Sequence, residues 1–233
     1  MKTALIIGSG AGLSASFARK LAATGYDVHL ASRDPSDLAD LITETGATAH
    51  ALDGTDAVGV AALVAGLPGD VRVACYNPSA RVRGPLVELD PETVRKSVEV
   101  TAWGAFLLGQ TAAKRMLAQD PEDGARGTIL FTGASAGVKG FAQSATFAMG
   151  KFAQRGLAQS MARELHPQGI HVTWINIDGG IRNAARPERI DAPDNPDSML
   201  DPDAIAQEYM NLVHQHRSAW SEELSLRPWV ERF

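Results

Sequence analysis

The chain has 233 residues, 45% of them hydrophobic and 21% charged, which is ordinary for a folded globular domain. The formal net charge of −5 at pH 7 provides no basic surface for nucleic acid. The single cysteine, Cys75, excludes an internal disulfide and lies in an apolar run, so we expect a buried thiol.

The chain begins directly on a strand-like run, "MKTALIIG", without the basic and long apolar regions of a secretory signal. No apolar stretch reaches the length of a membrane span. We therefore expect a cytoplasmic protein with a small-molecule partner and no membrane or nucleic-acid partner.

Short apolar runs alternate with longer helical segments, a pattern typical of a parallel sheet covered by helices on both faces. Several runs lack strict alternation, as expected for strands buried on both faces. The predicted strands are 3–8, 27–32, 47–53, 71–77, 127–133, 170–177 and, near the C-terminus, 222–227. The predicted fold is α/β, a doubly wound parallel sheet (Rossmann fold) forming a single nucleotide-binding domain over 1–233.

Helix boundaries are indicated by local signals. Asp-Pro pairs at 34, 90 and 201 predict an aspartate N-cap followed by proline in the first turn, and Gly25 predicts a helix end. Residues 182–201 contain three prolines, many charges and few apolar side chains. We expect this segment to be a substrate lid, because long loops in compact domains are usually lids or binding loops.

A glycine-rich loop joins the first predicted strand to the first helix, with Gly8, Gly10 and Gly12 around Ala11 and Leu13. Glycines in this context permit a tight turn and let the backbone approach a pyrophosphate at the helix N-terminus. The βαβ setting favours a dinucleotide site over a merely structural turn.

The end of the second strand indicates which dinucleotide binds. An NAD site usually has an acidic residue there, whereas this chain has Ser32 and Arg33. A guanidinium can pair with a 2′-phosphate, so the sequence favours NADP(H) over NAD(H). The alternatives are a solvated Arg33, or one paired with the neighbouring Asp34.

Over nearly its whole length the chain resembles the short-chain dehydrogenase/reductase family. The motifs that carry the resemblance are "GSGAGLS" (8–14), "ALDGTD" (51–56), "YNPSA" (76–80), "KFAQRGLAQSMARELHPQGIHV" (151–172) and "DGGIRN" (178–183). The resemblance implies cofactor contacts from Asp53 and Gly54, Asn77, Lys151 and Ile181. It also implies a homodimer or homotetramer, formed through helices at about 101–118 and 146–166.

The active-site pattern of that family is altered here. The resemblance places its proton-donating tyrosine at Phe147, its serine at Ala134 with Ser135 one residue late, and its asparagine at Thr101. Only Lys151 matches. Phenylalanine has no proton to exchange, and a positioned acid typically contributes about 10²–10⁴ in rate.

A few other hydroxyl side chains could replace the missing tyrosine as the proton donor. Ser135 and Thr101 are weak candidates, and strand alternation predicts that Ser135 faces away from Ala134 unless a bulge at Gly133 re-aims it. Tyr209 lies where it could swing in from the C-terminal helix, and Tyr76 is expected to be a packing residue.

Lys151 lies in the apolar context "FAMGKFA" and needs a partner, which the hydroxyl groups of a nucleotide ribose would supply. We therefore predict an intact cofactor site.

Two functions remain open: an NADP(H)-dependent oxidoreductase with a non-standard proton path, and a catalytically silent NADP(H)-binding sensor or partner subunit. A lyase or isomerase has no carboxylate pair or metal-ligand spacing to support it, and no metal site is predicted. Exposed aromatics at Trp229 and Phe233 would mark an interface or a pocket wall.

Overall fold

The computed structural model describes residues 1–183 and 186–231. Phe233 and residues 184–185 of the predicted lid lie outside the described residues. Seven strands are present: β1 Lys2–Ile7, β2 Asp27–Ser32, β3 Thr48–Ala51, β4 Asp70–Tyr76, β5 Gly127–Thr132, β6 Ile170–Ile177 and β7 Glu223–Leu226. Each lies within a residue or two of its predicted position, apart from a shorter β3.

Helices occupy the connections between the strands. They are α1 Leu13–Ala23, α2 Ala39–Thr45, α3 Ala57–Gly66, α4 Pro91–Val98, α5 Gly104–Leu117, α6 Ala145–Leu165 and α7 Pro202–Val213. A short π-helical turn, Glu99–Trp103, joins α4 to α5. No described helix has the length and apolar character that crossing a bilayer requires.

All strand pairs are parallel, in the order β3-β2-β1-β4-β5-β6-β7. The chain leaves β1 toward β2 and β3, and then returns to place β4 on the other side of β1. Parallel α/β sheets bind ligands at such a switch point, beyond the carboxyl ends of the strands. The predicted doubly wound fold is confirmed.

Alternate residues of each central strand enter two separate cores. Ala4 and Ile6 of β1 pack on the side of α1, α2 and α7, whereas Leu5 and Ile7 pack on the side of α3, α5 and α6. Both faces of the sheet are covered, which explains why the strands read as continuous apolar runs.

Two of the three Asp-Pro signals begin α-helices as predicted. Asp90 accepts a hydrogen bond from Thr93 N, and Asp201 accepts hydrogen bonds from the second and third residues of α7. The third prediction was wrong: Asp34 accepts from Ser36 N and precedes a single 3-10 turn, and α2 starts only at Ala39. The helix end predicted at Gly25 is present: α1 ends at Ala23, and Gly25 follows with φ +85°.

Candidate functional site

A cavity of about 690 Å³ opens at the carboxyl ends of the central strands. Its walls come from the loop after β1, the loop after β4, the turn after β5, the first turns of α6 and the segment after β6. Of the predicted site residues it contains Ala11, Gly12, Leu13, Asn77, Ser135, Lys151 and Ile181. It also contains Ala134 and Phe147, the positions where the family resemblance places the serine and the tyrosine.

Residues of the loop after β4 pack against the glycine loop and hydrogen-bond to it. Gly8 has φ +87°, and a Cβ at that position would lie 2.6 Å from the Pro78 ring. The Gly8 carbonyl accepts from Ser14 Oγ at 2.9 Å and from Asn77 Nδ2 at 3.2 Å, while Asn77 Nδ2 also donates to Ser14 Oγ. Ser14 and Pro78 therefore form part of the loop's support.

The upper part of the same loop is open toward the cavity. A Cβ at Gly10 would meet no described atom within 4 Å. Gly12, with φ +113°, precedes α1 and makes no side-chain cap, so the N–H groups of the first turn have no side-chain acceptor. Free N–H groups at a helix N-terminus bind phosphate, and the loop fits a dinucleotide pyrophosphate.

The residues predicted to bind the adenosine end lie outside this cavity, at the same edge of the sheet. Ser32 and Arg33 follow β2, next to the glycine loop, where Gly8 N and Ser9 N donate to Ala31 O. Asp34 uses its carboxylate on Ser36 N and forms no ion pair with Arg33. Arg33 is exposed.

Asp53 and Gly54 follow β3. Asp53 accepts hydrogen bonds from Thr55 N and Thr55 Oγ1, and these bonds lower the pKa of its carboxyl. Gly54 lies against the side chains of Ile7 and Tyr76, with 3.2 Å to Ile7 from a Cβ built on it. These hydrogen bonds favour the ionised form of Asp53 at the edge of the sheet.

Lys151 is buried in the wall of the cavity, with only 2% of its surface exposed. Its Nζ donates to the Thr132 carbonyl at 2.5 Å and to Gln154 Oε1 at 3.2 Å. Burial lowers the pKa of its ammonium from 10.5 to about 7. Two of the three ammonium protons have protein acceptors, so the third is available to the cavity.

The turn after β5 places Ser135 differently from the expectation. β5 ends at Thr132, Ala134 is extended, and Ser135–Gly137 forms a 3-10 turn. Strand alternation therefore no longer applies, and Ala134 and Ser135 line the same cavity. The bulge considered at Gly133 is unnecessary, since β5 keeps its register with both neighbours; a Cβ at Gly133 would instead strike the Trp174 indole at 2.3 Å.

Thr101 lies in the π-helical turn and is fully buried. Its Oγ1 accepts from Ala80 N at 3.1 Å, and its side chain packs against Gly150, where a Cβ would lie 2.8 Å away. It is not among the residues that line the cavity. Thr101 thus supports the loop after β4 and the helix that carries Lys151.

The tyrosine alternatives are resolved by packing. Tyr209 is fully buried, with its ring edge-on to Phe17 and its hydroxyl bonded to Thr132 Oγ1 at 2.9 Å. Tyr209 is therefore not available as a proton donor, because its ring is part of the core. Tyr76 is also fully buried and donates to Val100 O at 2.6 Å, so it packs as predicted.

Several residues in or next to the cavity wall were not predicted from the sequence. Gln154, fully buried, is the side-chain partner of Lys151, and its position one helical turn later could have revealed it. The guanidinium of Arg81 lies over the Phe147 ring, 5.1 Å from the centroid. Arg81 and Arg83 follow β4 in the printed motif "SARVRG", a basic loop that could have been singled out.

The predicted lid borders the cavity. An isolated bridge pairs Ile181 with Leu200, and Arg182 holds the segment together by contacting three aspartates, at 2.7–3.0 Å. The lid residues that line the cavity are Arg182, Asn183, Arg186 and Arg189. Trp229 is 78% exposed, and its Nε1 donates to Pro196 O of the predicted lid at 3.4 Å.

Among residues 1–183 and 186–231, no three His, Cys, Asp or Glu side chains are grouped as a metal site requires.

A family model described as short chain dehydrogenase matches residues 2–188. A cyclic-di-GMP-binding biofilm dispersal mediator protein of Escherichia coli (strain K12) is 29% identical over 197 residues, covering 84% of this chain and 76% of the relative. An L-2,3-butanediol dehydrogenase of Corynebacterium glutamicum is 28% identical, covering 82% of this chain and 76% of the enzyme.

Solved structures show the same fold along nearly the whole chain. A short-chain dehydrogenase from Rhodopseudomonas palustris superposes with a TM-score of 0.81 at 34% identity, covering 98% of this chain and 99% of that one. A metagenomic short-chain oxidoreductase in complex with NADP gives a TM-score of 0.82 at 26% identity, covering 98% of both chains.

Proposed function

The chain belongs to the short-chain dehydrogenase family, and from that membership we propose that it is an NADP(H)-dependent oxidoreductase with a proton path of its own. The observation that carries the proposal is Lys151, buried in the wall of a cavity that the glycine loop also lines. A buried ammonium needs polar partners, and a ribose would add to the two protein acceptors.

The residues present fit the dinucleotide. Those that would hold it are Gly10, Ala11, Gly12 and Leu13 at the pyrophosphate, Ser32 and Arg33 at the 2′-phosphate, Asp53 and Gly54 at the adenine, and Asn77, Lys151 and Ile181 toward the nicotinamide. Asn77 acts indirectly, because its amide supports the Gly8 carbonyl. When bound, the nicotinamide would supply or accept a hydride.

The preference for NADP(H) rests on Arg33, whose guanidinium is exposed at the end of β2 with no ion pair to Asp34. A neighbouring structure contains NADP, which supports this preference. Arg33→Ser should weaken NADPH binding about tenfold and leave NADH binding nearly unchanged, as measured by nucleotide fluorescence. Equal losses for both nucleotides would contradict the assignment.

Lys151 is the group we assign to proton transfer in place of the missing tyrosine hydroxyl. Its N–H bond breaks as the proton passes to the carbonyl oxygen, which gains an electron pair when the neighbouring carbon receives the hydride, and the N–H bonding pair stays on Nζ; in an activated double bond the proton goes to the carbon next to the one that receives the hydride. Water then returns a proton to the amine. A pKa of about 7 suits this exchange near neutral pH. Ser135, in the same cavity, is assigned to orienting the substrate by a hydrogen bond.

A turnover assay tests this path. The purified protein, saturated with NADPH, is assayed with two classes of substrate. One is carbonyl compounds, and the other is compounds with activated double bonds, whose reduction needs no strong acid. We expect kcat to follow a single ionisation of about 7, and Lys151→Arg to move that ionisation upward. A pH profile that is identical in the variant would show that Lys151 does not carry the proton.

A second candidate is a catalytically silent NADP(H)-binding sensor or partner subunit. Phe147 and Ala134 have no exchangeable proton, and one relative is named for binding rather than for catalysis. This candidate predicts NADPH binding without turnover, and partial activity in the Phe147→Tyr, Ala134→Ser double variant. Turnover by the unmodified protein on any substrate of the panel would exclude it.

We propose further that the protein works in the cytoplasm as a homodimer or homotetramer, with the segment 182–201 as its lid. Three apolar side chains, one at the end of the π-helical turn before α5 and two on α6, support an assembly: Trp103, Met149 and Phe152 are 45%, 53% and 45% exposed. Phe152→Lys should dissociate the oligomer in light scattering, and a monomeric unmodified protein would refute it.

A further inference from the structure

Three arginines beside the cavity have no acidic partner. Among the described residues, no carboxylate lies within ion-pair distance of Arg81, Arg83 or Arg189, whereas Arg182 nearby contacts three. Arg81 is close to the other two: its pKa is lowered by burial and by the charges of Arg83 and Arg189. Like charges held together without a counter-ion make a site that an anion would stabilise.

Two of these arginines, Arg81 and Arg83, line a second cavity of about 430 Å³ that adjoins the first, and Arg189 lines the first cavity. The two cavities share Arg81, Ser135, Phe141 and Phe147. The second is lined by those four with Arg83, Ala136 and Ala142, and none of the seven is acidic. Its surface combines guanidinium groups with two aromatic rings, an arrangement suited to a ligand with an anionic group and an apolar body.

The arginine loop is held in place by the start of α6. Arg81 Nη2 donates to the buried Ser144 Oγ at 2.8 Å. Val82 N donates to Thr146 Oγ1 at 3.2 Å, and Thr146 Oγ1 donates to Val82 O at 2.9 Å. The loop therefore presents Arg81 and Arg83 in one arrangement, and little order has to be gained when an anion binds.

The cofactor phosphates have a separate place. The glycine loop lines the first cavity only, and Arg33 lies beyond it at the end of β2. The second cavity meets the first at Phe147, one helical turn before Lys151 on α6. A ligand held by the arginines would therefore extend from the second cavity toward the ammonium group.

We propose that the second cavity is an anion subsite, which takes a substrate with a carboxylate or phosphate group and an apolar part between Phe141 and Phe147. Where the family resemblance places a tyrosine hydroxyl, this chain has the Phe147 ring, and the Arg81 guanidinium lies over that ring. The assignment rests on the proposed function only for the reaction that the bound substrate would undergo.

Binding is tested by calorimetry on the full chain, with and without saturating NADP⁺, using phenyl phosphate and benzoate as probes. Benzamide is the uncharged comparison. We expect Arg83→Met and the Arg81→Met, Arg83→Met double variant to weaken both anions about tenfold or more and to leave benzamide unchanged. Arg163→Met, an exposed arginine farther along α6, is the matched control and should bind the anions normally.

Two results would overturn the proposal. One is anion binding that is equal in the unmodified protein and in both variants. The other is a tenfold loss of NADPH affinity in Arg83→Met, which would assign the arginines to the cofactor. The apoprotein titration keeps this question separate from the proposed function. Anion binding that depends on Arg83 supports the subsite even if no nucleotide binds. Anion binding that does not depend on Arg83 refutes the subsite even if NADPH binds tightly.

Discussion

Burial of Lys151 should make the stability of the apoprotein depend on pH in a way that one substitution removes. The pKa falls from 10.5 to about 7 on folding, so between these values the unfolded chain binds more protons than the folded one. Stability then rises with pH across this window. Since each pKa unit corresponds to about 1.4 kcal/mol, burial opposes folding by on the order of 4 kcal/mol at pH 7.

The perturbation is Lys151→Met, which keeps an unbranched side chain only one atom shorter and removes its charge. Between about pH 7.5 and about pH 9.5, the unmodified apoprotein should gain roughly 2.5 kcal/mol of unfolding free energy relative to the variant. The bond to the Thr132 carbonyl is lost at every pH, so this loss shifts the variant's curve but leaves the difference in slope intact. Urea unfolding of both proteins at several pH values gives the comparison.

Lys114→Met on α5 removes an exposed lysine and provides the control, whose curve should run parallel to that of the unmodified protein. If the Lys151→Met curve also runs parallel within about 0.5 kcal/mol, the ammonium is not destabilised by burial, and its role in proton transfer loses its physical basis.

Gly8→Ala should lower the unfolding free energy by about 2–3 kcal/mol because of the positive φ and the Pro78 ring, whereas Gly10→Ala should stay within about 0.5 kcal/mol and instead weaken NADPH binding. Equal losses of stability in urea would contradict this pair. Burial raises the pKa of the Cys75 thiol to about 12, so a thiol reagent should label it only as the chain unfolds; rapid labelling of the native protein would refute the packing. Arg182→Met removes the contacts to three aspartates and should speed proteolysis within 186–200 about fivefold with little change in Tm; unchanged cleavage would show that Arg182 does not order the segment.

The sheet could be predicted from the sequence because each strand is an apolar run and each helix has its own local signals. The glycine loop was recognisable for the same reason, since its position between a strand and a helix is a local property. What could not be predicted depends on contacts across the chain. The hydrogen bonds from Asn77 to Gly8 and Ser14 join residues more than sixty positions apart.

The candidate proton donors show the same limit. Alternation predicted opposite faces for Ala134 and Ser135, but β5 ends two residues earlier and the following turn brings both into the cavity. The position of Tyr209 on the helix after the segment 182–201 left it as a possible donor, and its ring is enclosed between α1 and the sheet. In each case the backbone path or the packing, which no spacing encodes, decides where the hydroxyl lies.

Thr132 is bonded from both sides of the sheet. Its carbonyl accepts from Lys151 on α6, and its hydroxyl is bonded to Tyr209 on α7, the helix that directly follows the segment 182–201. Thr132 therefore takes part both in the hydrogen bonding of the Lys151 ammonium and in the contact that holds α7 against the sheet. If a shift of α7 against β5 changes the acidity of Lys151, thermodynamic reciprocity requires that titrating Lys151 change how firmly α7 is held by the same free energy.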